Sequence, residues 1–364
     1  MRTRVTQDNA RTKSPIPMCR SRPPTKRMGG HGFSLVELMV ALAIASLLLG
    51  ALAVMFVNAS VARGEIDKAS RQIESGRYAM QVLADDIRHA GYYGPLNTAP
   101  TLPGSVVALP DPCSSTTATV QNSLAIPLQG YTDGSGLTCL NAAAGYKANT
   151  AVVVIRRADT TAATTAPTAN YFNIQVSGCP GDPVRYVLNT DSTGPYTLHS
   201  NGAPGCTPIT AAPLAKITPF YQRIYYVSTC SDTDCSAAGA DNIPTLKRID
   251  ITPAGPATPK PIVDGIENLQ LDYGIDTSAP GDGSPDIYTN TTAHAALTPS
   301  SLAEWQNVMA VRVYVLARNL DTSSMFTDTK TYKLGPESVT PGGAFRRHVY
   351  NQLVRLNNPA GRRE

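Results

Sequence analysis

Between Phe33 and Val57 the chain carries one ionisable side chain, Glu37, in 25 residues, and this apolar run constrains everything that follows it. A membrane helix needs about 20 mostly apolar residues to cross a hydrocarbon core of roughly 30 Å, and a helix of this length reaches about 37 Å. The run can span a bilayer once. No proline occurs between Phe33 and Gly94. Beyond Val57 the apolar positions Ile66, Ala69, Ile73, Met80, Leu83 and Ile87 continue at helical steps past a break at Gly76. The pattern predicts one continuous helix from Phe33 to about Ala90, roughly 87 Å long. Its first half is lipid-soluble and its second half carries an amphipathic stripe that can pack on a water-soluble domain. Gly91, then Gly94-Pro95, supply the stop.

Ahead of the run, residues 1–32 hold eight Lys/Arg against one acid, Asp8. Basic flanks stay on the cytoplasmic side, so the C-terminal bulk is sent across the membrane. The basic segment is a targeting element rather than part of a fold. A secretory signal places its cleavage residues after the apolar region. Here a Gly32-Phe33 junction lies before it, and a cut there would leave the helix on the mature chain.

Gly32-Phe33-Ser34-Leu35-Val36-Glu37-Leu38 resembles the cleavage and methylation motif of type IV prepilins and type II secretion pseudopilins. The resemblance implies cleavage between Gly32 and Phe33 by a prepilin peptidase and N-methylation of Phe33. It also implies insertion of the helix into a filament core, with Glu37 serving subunit assembly. A 32-residue leader is long for the family, and Met18 or Met28 are alternatives to Met1 as the start; Met28 would give Met-Gly-Gly-His-Gly. Ser34-x-x-Glu37 is also a capping box, which could simply tidy the first helical turn. A cap, however, needs no basic leader, no Gly-Phe junction and no membrane span behind it.

Removing the leader takes eight bases and one acid from 31 and 27, leaving 23 Lys/Arg against 26 Asp/Glu, a net charge of −3. Such a balance gives no reason to expect nucleic acid as a partner. Of the seven cysteines, Cys19 lies in the leader, and six remain in the exported part: Cys113, Cys139, Cys179, Cys206, Cys230 and Cys235. An even count in an oxidising compartment is a disulfide signal. The six fall as three local pairs, so sequential bridging (113 to 139, 179 to 206, 230 to 235) closes the shortest loops among 15 connectivities. On the chain-entropy model the first loop contributes about 3.5 kcal/mol and the last about 2.

Residues 95–150 are rich in Pro, Thr, Ser, Ala and Gly and predict loops and short irregular strands tied by the first disulfide. Strands are expected at 151–155, 171–176, 184–188, 221–227 and 246–251, where β-branched and aromatic residues lie between Gly and Pro clusters. Leu269 to Ile275 alternates apolar with polar residues, predicting a strand with one packed and one wet face. Ser301 and Glu304 make a capping box for a short helix, which leads into a strand at 311–318. A last strand is expected at 348–356, and the polar tail 357–364 should fray.

This order gives an α+β domain with the second half of the helix laid across a mostly antiparallel sheet, its loops tied by disulfides. The expected divisions are a basic leader (1–32), a membrane half (33–57) and an amphipathic half (58–94) of the helix, then an exported β-rich domain (95–356) and the tail. Three blocks, Asp86 to Gly94, Glu267 to Asp276 and Trp305 to Arg318, resemble the PilW family of minor pilins. That resemblance implies a pilin-like fold and a part in type IV pilus assembly. Its partners would be other minor pilins, the major pilin, the prepilin peptidase and the inner membrane, with a tip adhesin as a further candidate. The domain would lie in the periplasm and then at the pilus or cell surface.

No enzyme motif is present: there is no G-x-S-x-G, H-E-x-x-H or phosphate loop, and no histidine lies in a metal or nucleophile pattern. The reading is a non-enzyme without a cofactor. Asp85 and Asp86 point about 100° apart on a helix, so the pair predicts a solvated face rather than acid/base chemistry. Asp276, Asp282 and Asp286 crowd one Gly/Pro loop and form a weak calcium candidate without EF-hand spacing. Cys230 to Cys235 reads as a small disulfide-closed loop rather than a ligand set. The alternatives to a minor pilin are a type II secretion pseudopilin, which would share the helix, and a membrane-tethered periplasmic enzyme or adhesin.

Overall fold

A computed structural model describes residues 32–100, 108–161, 163–191, 194–201, 206, 213–289 and 302–364. The capping residue expected at Ser301 lies outside them. The described residues divide into two compact units, one ending at Ser60 and one running Val61–Glu364. Helix α1, Leu35–His89, begins in the first and ends in the second, close to the predicted limits. Its first turn closes with the Leu38 N–H donating to the Ser34 carbonyl at 3.1 Å. It stops at Gly91, whose φ of 74° lies in the left-handed region that a Cβ disfavours. The Gly91 N–H then leaves the helix and donates to the Arg156 carbonyl at 2.8 Å.

In the second unit, helix α2 (Thr117–Ser123) leads to strands β1 (Leu128–Tyr131), β2 (Val152–Ala158), β3 (Phe172–Val176), β4 (Tyr186–Thr190) and β5 (Ile217–Ser228). Then come β6 (Thr245–Thr252), β7 (Gly255–Pro256), β8 (Lys260–Asp264), β9 (Ile266–Ile275), β10 (Ile287–Thr289) and helix α3 (Leu302–Gln306). The chain finishes with β11 (Val308–Arg318), the hairpin β12 (Tyr332–Leu334) and β13 (Glu337–Val339), β14 (Arg347–Arg355) and helix α4 (Asn357–Gly361). One sheet runs β1-β2-β5-β3-β4, with β6 also on β5 and carrying β7 and β8. The other runs β10-β9-β11-β14, and the pairing throughout is antiparallel. The Ala151 N–H reaches the Leu269 carbonyl at 2.8 Å and joins the two sheets.

Two large apolar clusters result among the described residues, beside the small one of Cys179 and Cys206. Ala79, Met80, Leu83, Ala84 and Ile87 of α1 pack with Leu269, Leu271, Val311, Val313, Val315 and Val354. Tyr93, Val120, Leu124, Phe172, Phe220 and Ile249 form the second. Strand β2 serves both, Val153 and Ile155 facing the first cluster and Val152 and Val154 the second. Burial on both faces is why its sequence is an unbroken apolar run rather than an alternation.

Several expectations are corrected. The seated face of α1 is Gln72, Gly76, Ala79, Met80, Leu83, Ala84, Asp86 and Ile87, whereas Ile66 and Ile73 stay 67% and 49% exposed. The second part of the predicted stripe, Met80, Leu83 and Ile87, is thus seated, and the contact face starts at Gln72 rather than at Ile66. Gln72, a polar residue, holds the start of that face by donating to the carbonyls of Ala317 at 2.8 Å and Arg346 at 3.0 Å. Strand β9 has no wet face, since all ten residues are buried. Its polar side is covered and bonded, with Gln270 donating to the Asn149 carbonyl at 3.1 Å and Lys147 to the Glu267 carbonyl at 2.8 Å. The tail does not fray but docks as α4, with Pro359 and Ala360 buried and Arg362 donating to the Gly91 carbonyl at 2.6 Å.

Gly76 is a notch rather than a gap. A Cβ there would lie 2.1 Å from a ring carbon of Tyr350 on β14, far inside contact distance. Gly76→Ala should thus destabilise the protein by roughly 1–3 kcal/mol through overpacking, although alanine favours a helix by about 1 kcal/mol. Adding Tyr350→Ala should recover part of that loss. Thermal unfolding of the two single variants and the double variant checks this, and strictly additive losses would mean the ring does not need the notch.

Candidate functional site

The residues singled out by sequence fall into three places. Gly32, Phe33 and Ser34 precede α1 in non-helical backbone, and Glu37 lies in its first turn, where a carboxylate faces the positive end of the helix dipole. Phe33 is 81% exposed, and every residue from Gly32 to Ser60 is exposed, Leu47 and Phe56 by about three quarters. An apolar surface of this extent needs lipid or other protein against it. By length and composition α1 can cross a membrane once.

At the other end of α1, Asp86 is 3% exposed, which corrects the expectation of a solvated pair; Asp85 alone remains exposed. Three donors converge on the Asp86 carboxylate. Arg157 Nε of β2 lies at 2.7 Å, Arg223 Nη1 of β5 at 2.8 Å, and Tyr225 Oη of β5 at 2.6 Å. Burial pushes the carboxyl pKa up, but the Arg223 and Arg157 charges and the Tyr225 hydroxyl outweigh it and hold the group below the ordinary aspartate value. The signal was present in the sequence: Asp86 shares the helix face of Leu83, Ala79 and Ala90 and is the one acid there. A second buried ionic cluster links β9 to β14, where Arg347 bonds Glu267 and, at 2.8 Å, Asp328.

The six cysteines after residue 32 are all bridged, Cys113 to Cys139, Cys179 to Cys206 and Cys230 to Cys235, the sequential pairs along the chain. The three carboxylates of the 276–286 loop do not come together. Asp276 accepts from the Gly283 N–H at 2.9 Å, from Ser278 Oγ at 2.6 Å and from Arg363 Nη1 at 2.9 Å. Asp282 caps Ser284, and Asp286 caps Thr277. Burial raises the Asp276 pKa, yet Ser278, Gly283 and Arg363 together bring it down to about 2. A guanidinium of the docked tail thus sits where a cation would, and the calcium reading is set aside. Among the described residues, Cys230, Asp232 and Asp241 bring ligand atoms within 4.8 Å of one another, but Cys230 is held in a disulfide and has no thiolate to offer.

Two family models match the chain. The prokaryotic N-terminal methylation motif matches residues 27–53, across the Gly32-Phe33 junction and into α1. Type IV pilus-assembly protein W matches residues 224–358, from the middle of β5 into α4. Together they support a type IV pilin of the PilW family. No curated protein and no solved structure matches the chain.

Because Asp86 joins α1 to β2 and β5, Asp86→Ala leaves Arg157 and Arg223 without their carboxylate and should cost about 3–5 kcal/mol. The pH dependence has a fixed sign. A carboxyl whose folded pKa lies below its unfolded 3.8 contributes stability that is complete above that value and is lost as pH falls through the folded pKa. Asp86→Asn should therefore be less stable at neutral pH and show a flatter decline below about pH 4. Thermal unfolding over an acid pH series measures it, and an unchanged acid limb in the variant would remove Asp86 from this role.

Proposed function

We propose that this PilW-family pilin is a minor pilin that helps to start or cap a type IV pilus, entering the filament through α1. The observation that carries the reading is the coincidence of two features on one helix. The methylation-motif match falls on a half of α1 that is apolar and bare, while residues beyond Gln72 are seated in a folded β-rich unit. A prepilin peptidase would cut between Gly32 and Phe33 and leave a free Phe33 amine for methylation. Before assembly the apolar half holds the protein in the inner membrane with its domain in the periplasm. Afterwards the same surface packs against other minor pilins and the major pilin, and the domain is displayed at the pilus or cell surface, where a tip adhesin is a fitting partner. A type II secretion pseudopilin would use the same helix, and the match over residues 224–358 favours the pilus.

Glu37 lies one helical turn from the amine that cleavage would create. A carboxylate in a membrane helix costs about 2.5–3.5 kcal/mol at the centre and less near the end. Pairing with the Phe33 amine of a neighbouring subunit offsets that cost in the filament and fixes the axial register between subunits.

Gly32→Val should block removal of the leader, and intact-mass analysis of membrane and pilus fractions reads the result. A wild-type chain that keeps residues 1–32, or is cut after Val57, overturns the proposal. Glu37→Ala should leave cleavage and disulfide formation intact and reduce incorporation into filaments. If Glu37 serves only as a helix cap, the loss is about 1 kcal/mol and Glu37→Gln largely restores it. Immunoblots of sheared pili against membranes separate the two, since Glu37→Gln entering pili as well as wild type would exclude a charge pair.

A further inference from the structure

The three disulfides have different surroundings. The sulfurs of Cys113–Cys139 and Cys179–Cys206 belong to residues no more than 7% exposed, and among the described residues no cation hydrogen-bonds to them. Their polar contacts are the Cys139 N–H to Cys113 Sγ at 3.2 Å and the Ser200 carbonyl 3.4 Å from Cys179 Sγ. Cys230–Cys235 closes a short loop between β5 and β6, and its surroundings contain a buried cation. Lys247 of β6 is wholly buried, with Nζ 3.2 Å from Cys235 Sγ and 3.5 Å from Cys230 Sγ. Its other contact is the Asp232 carbonyl.

A disulfide sulfur is a weak acceptor, so an ammonium aimed at this bridge gains little while the bond is intact. A thiolate at the same place would be a charge-assisted partner and a better leaving group. The loop carboxylates are committed to their own turns. Asp241 accepts from Ser231 and Ile243, Asp234 from Ser236, and Asp232 from the Asp241 N–H. Burial draws the Lys247 pKa below the usual lysine value, while Asp232, Asp241, Asp234 and Asp264 act to keep it charged. Access is asymmetric too: Cys230 is 2% exposed and Cys235 is half-buried.

We propose that Cys230–Cys235 is a thiol-exchange site that accepts electrons from an external dithiol, with Lys247 holding the departing Cys230 thiolate. One thiolate of the dithiol attacks Cys235 Sγ and forms a mixed disulfide. The Cys230–Cys235 bond breaks, and its electron pair leaves on Cys230 Sγ beside Lys247 Nζ. The second thiol of the reductant, deprotonated to solvent, then attacks the mixed disulfide at the reductant's own sulfur. The reductant departs as a disulfide, and Cys235 Sγ takes a proton from water. Two electrons have passed from dithiol to protein, and the other two bridges, which have no cation on them among the described residues, stay closed.

The test uses the full-length protein in detergent at neutral pH, treated with dithiothreitol for graded times, alkylated, and read by peptide mass spectrometry at each cysteine. Cys230 and Cys235 should be labelled about tenfold faster than the other four exported cysteines. Lys247→Met should slow their labelling about tenfold and leave the other four unchanged, whereas Lys247→Arg should keep the wild-type rate. Labelling of Cys113, Cys139, Cys179 and Cys206 in the same samples reports whether each variant is folded, and Lys247→Gln serves if the methionine variant is not. Equal rates at all three bridges in the wild type overturn the proposal. So does an unchanged rate in a folded, neutral Lys247 variant, or a Lys247→Arg rate as slow as that of Lys247→Met, which would make the lysine a packing residue only.

Discussion

The Asp86 carboxylate determines how α1 meets its sheets. A helix face of Ala79, Met80, Leu83, Ala84 and Ile87 is smooth and could slide or roll by a helical step while burying nearly the same area. Hydrophobic burial has no direction of its own. A carboxylate that must meet Arg157, Arg223 and Tyr225 together has a single seat. Buried ion pairs often add little net stability, because desolvation offsets the attraction, but misplacing one is expensive. Asp86 thus sets both the height and the rotation of α1, and the Gly76 notch for Tyr350 and the Gln72 amide on Ala317 and Arg346 are in place only in that register.

What the sequence disclosed follows from how local each signal is. The extent of α1 was legible because proline-free apolar spacing and a terminal Gly91 are properties of neighbouring residues. The cysteine pairing was legible for the same reason, since each bridge joins the next cysteine along the chain. The start of the seated face of α1 was not, because it is set by Gln72, a polar residue whose partners lie 245 and 274 residues away. Hydrophobicity alone therefore put Ile66 and Ile73 on the seated face. Strand β9 alternates as a half-wet strand would, but what covers its polar side is the Lys147–Asn149 segment, which sequence cannot place. The short helices α2 and α4 hold too few turns for a periodic signal.

The methylation motif was the most readable part of the candidate site, since it is a linear stretch of chain that can be read without any fold. The loop at Asp276 shows the reverse. Its composition suggested a cation, and a cation is there, but it is Arg363 from the last turn of the chain. Lys247 likewise gave no local signal, because the strand that carries it alternates like its neighbours and only the β5–β6 hairpin brings it to the bridge.

The partners of α1 also have an order in time. Among the described residues the helix is made first, but its notch is filled by Tyr350, its end is tied by Arg362, and its Gln72 waits for Ala317 and Arg346. Nearly the whole chain must be made before the amphipathic half can be seated. Contacts of such long sequence separation carry a high loop-closure cost and slow folding. In the interval that face is bare and needs a temporary cover, so release of the helix from that cover becomes a step in the maturation of the protein.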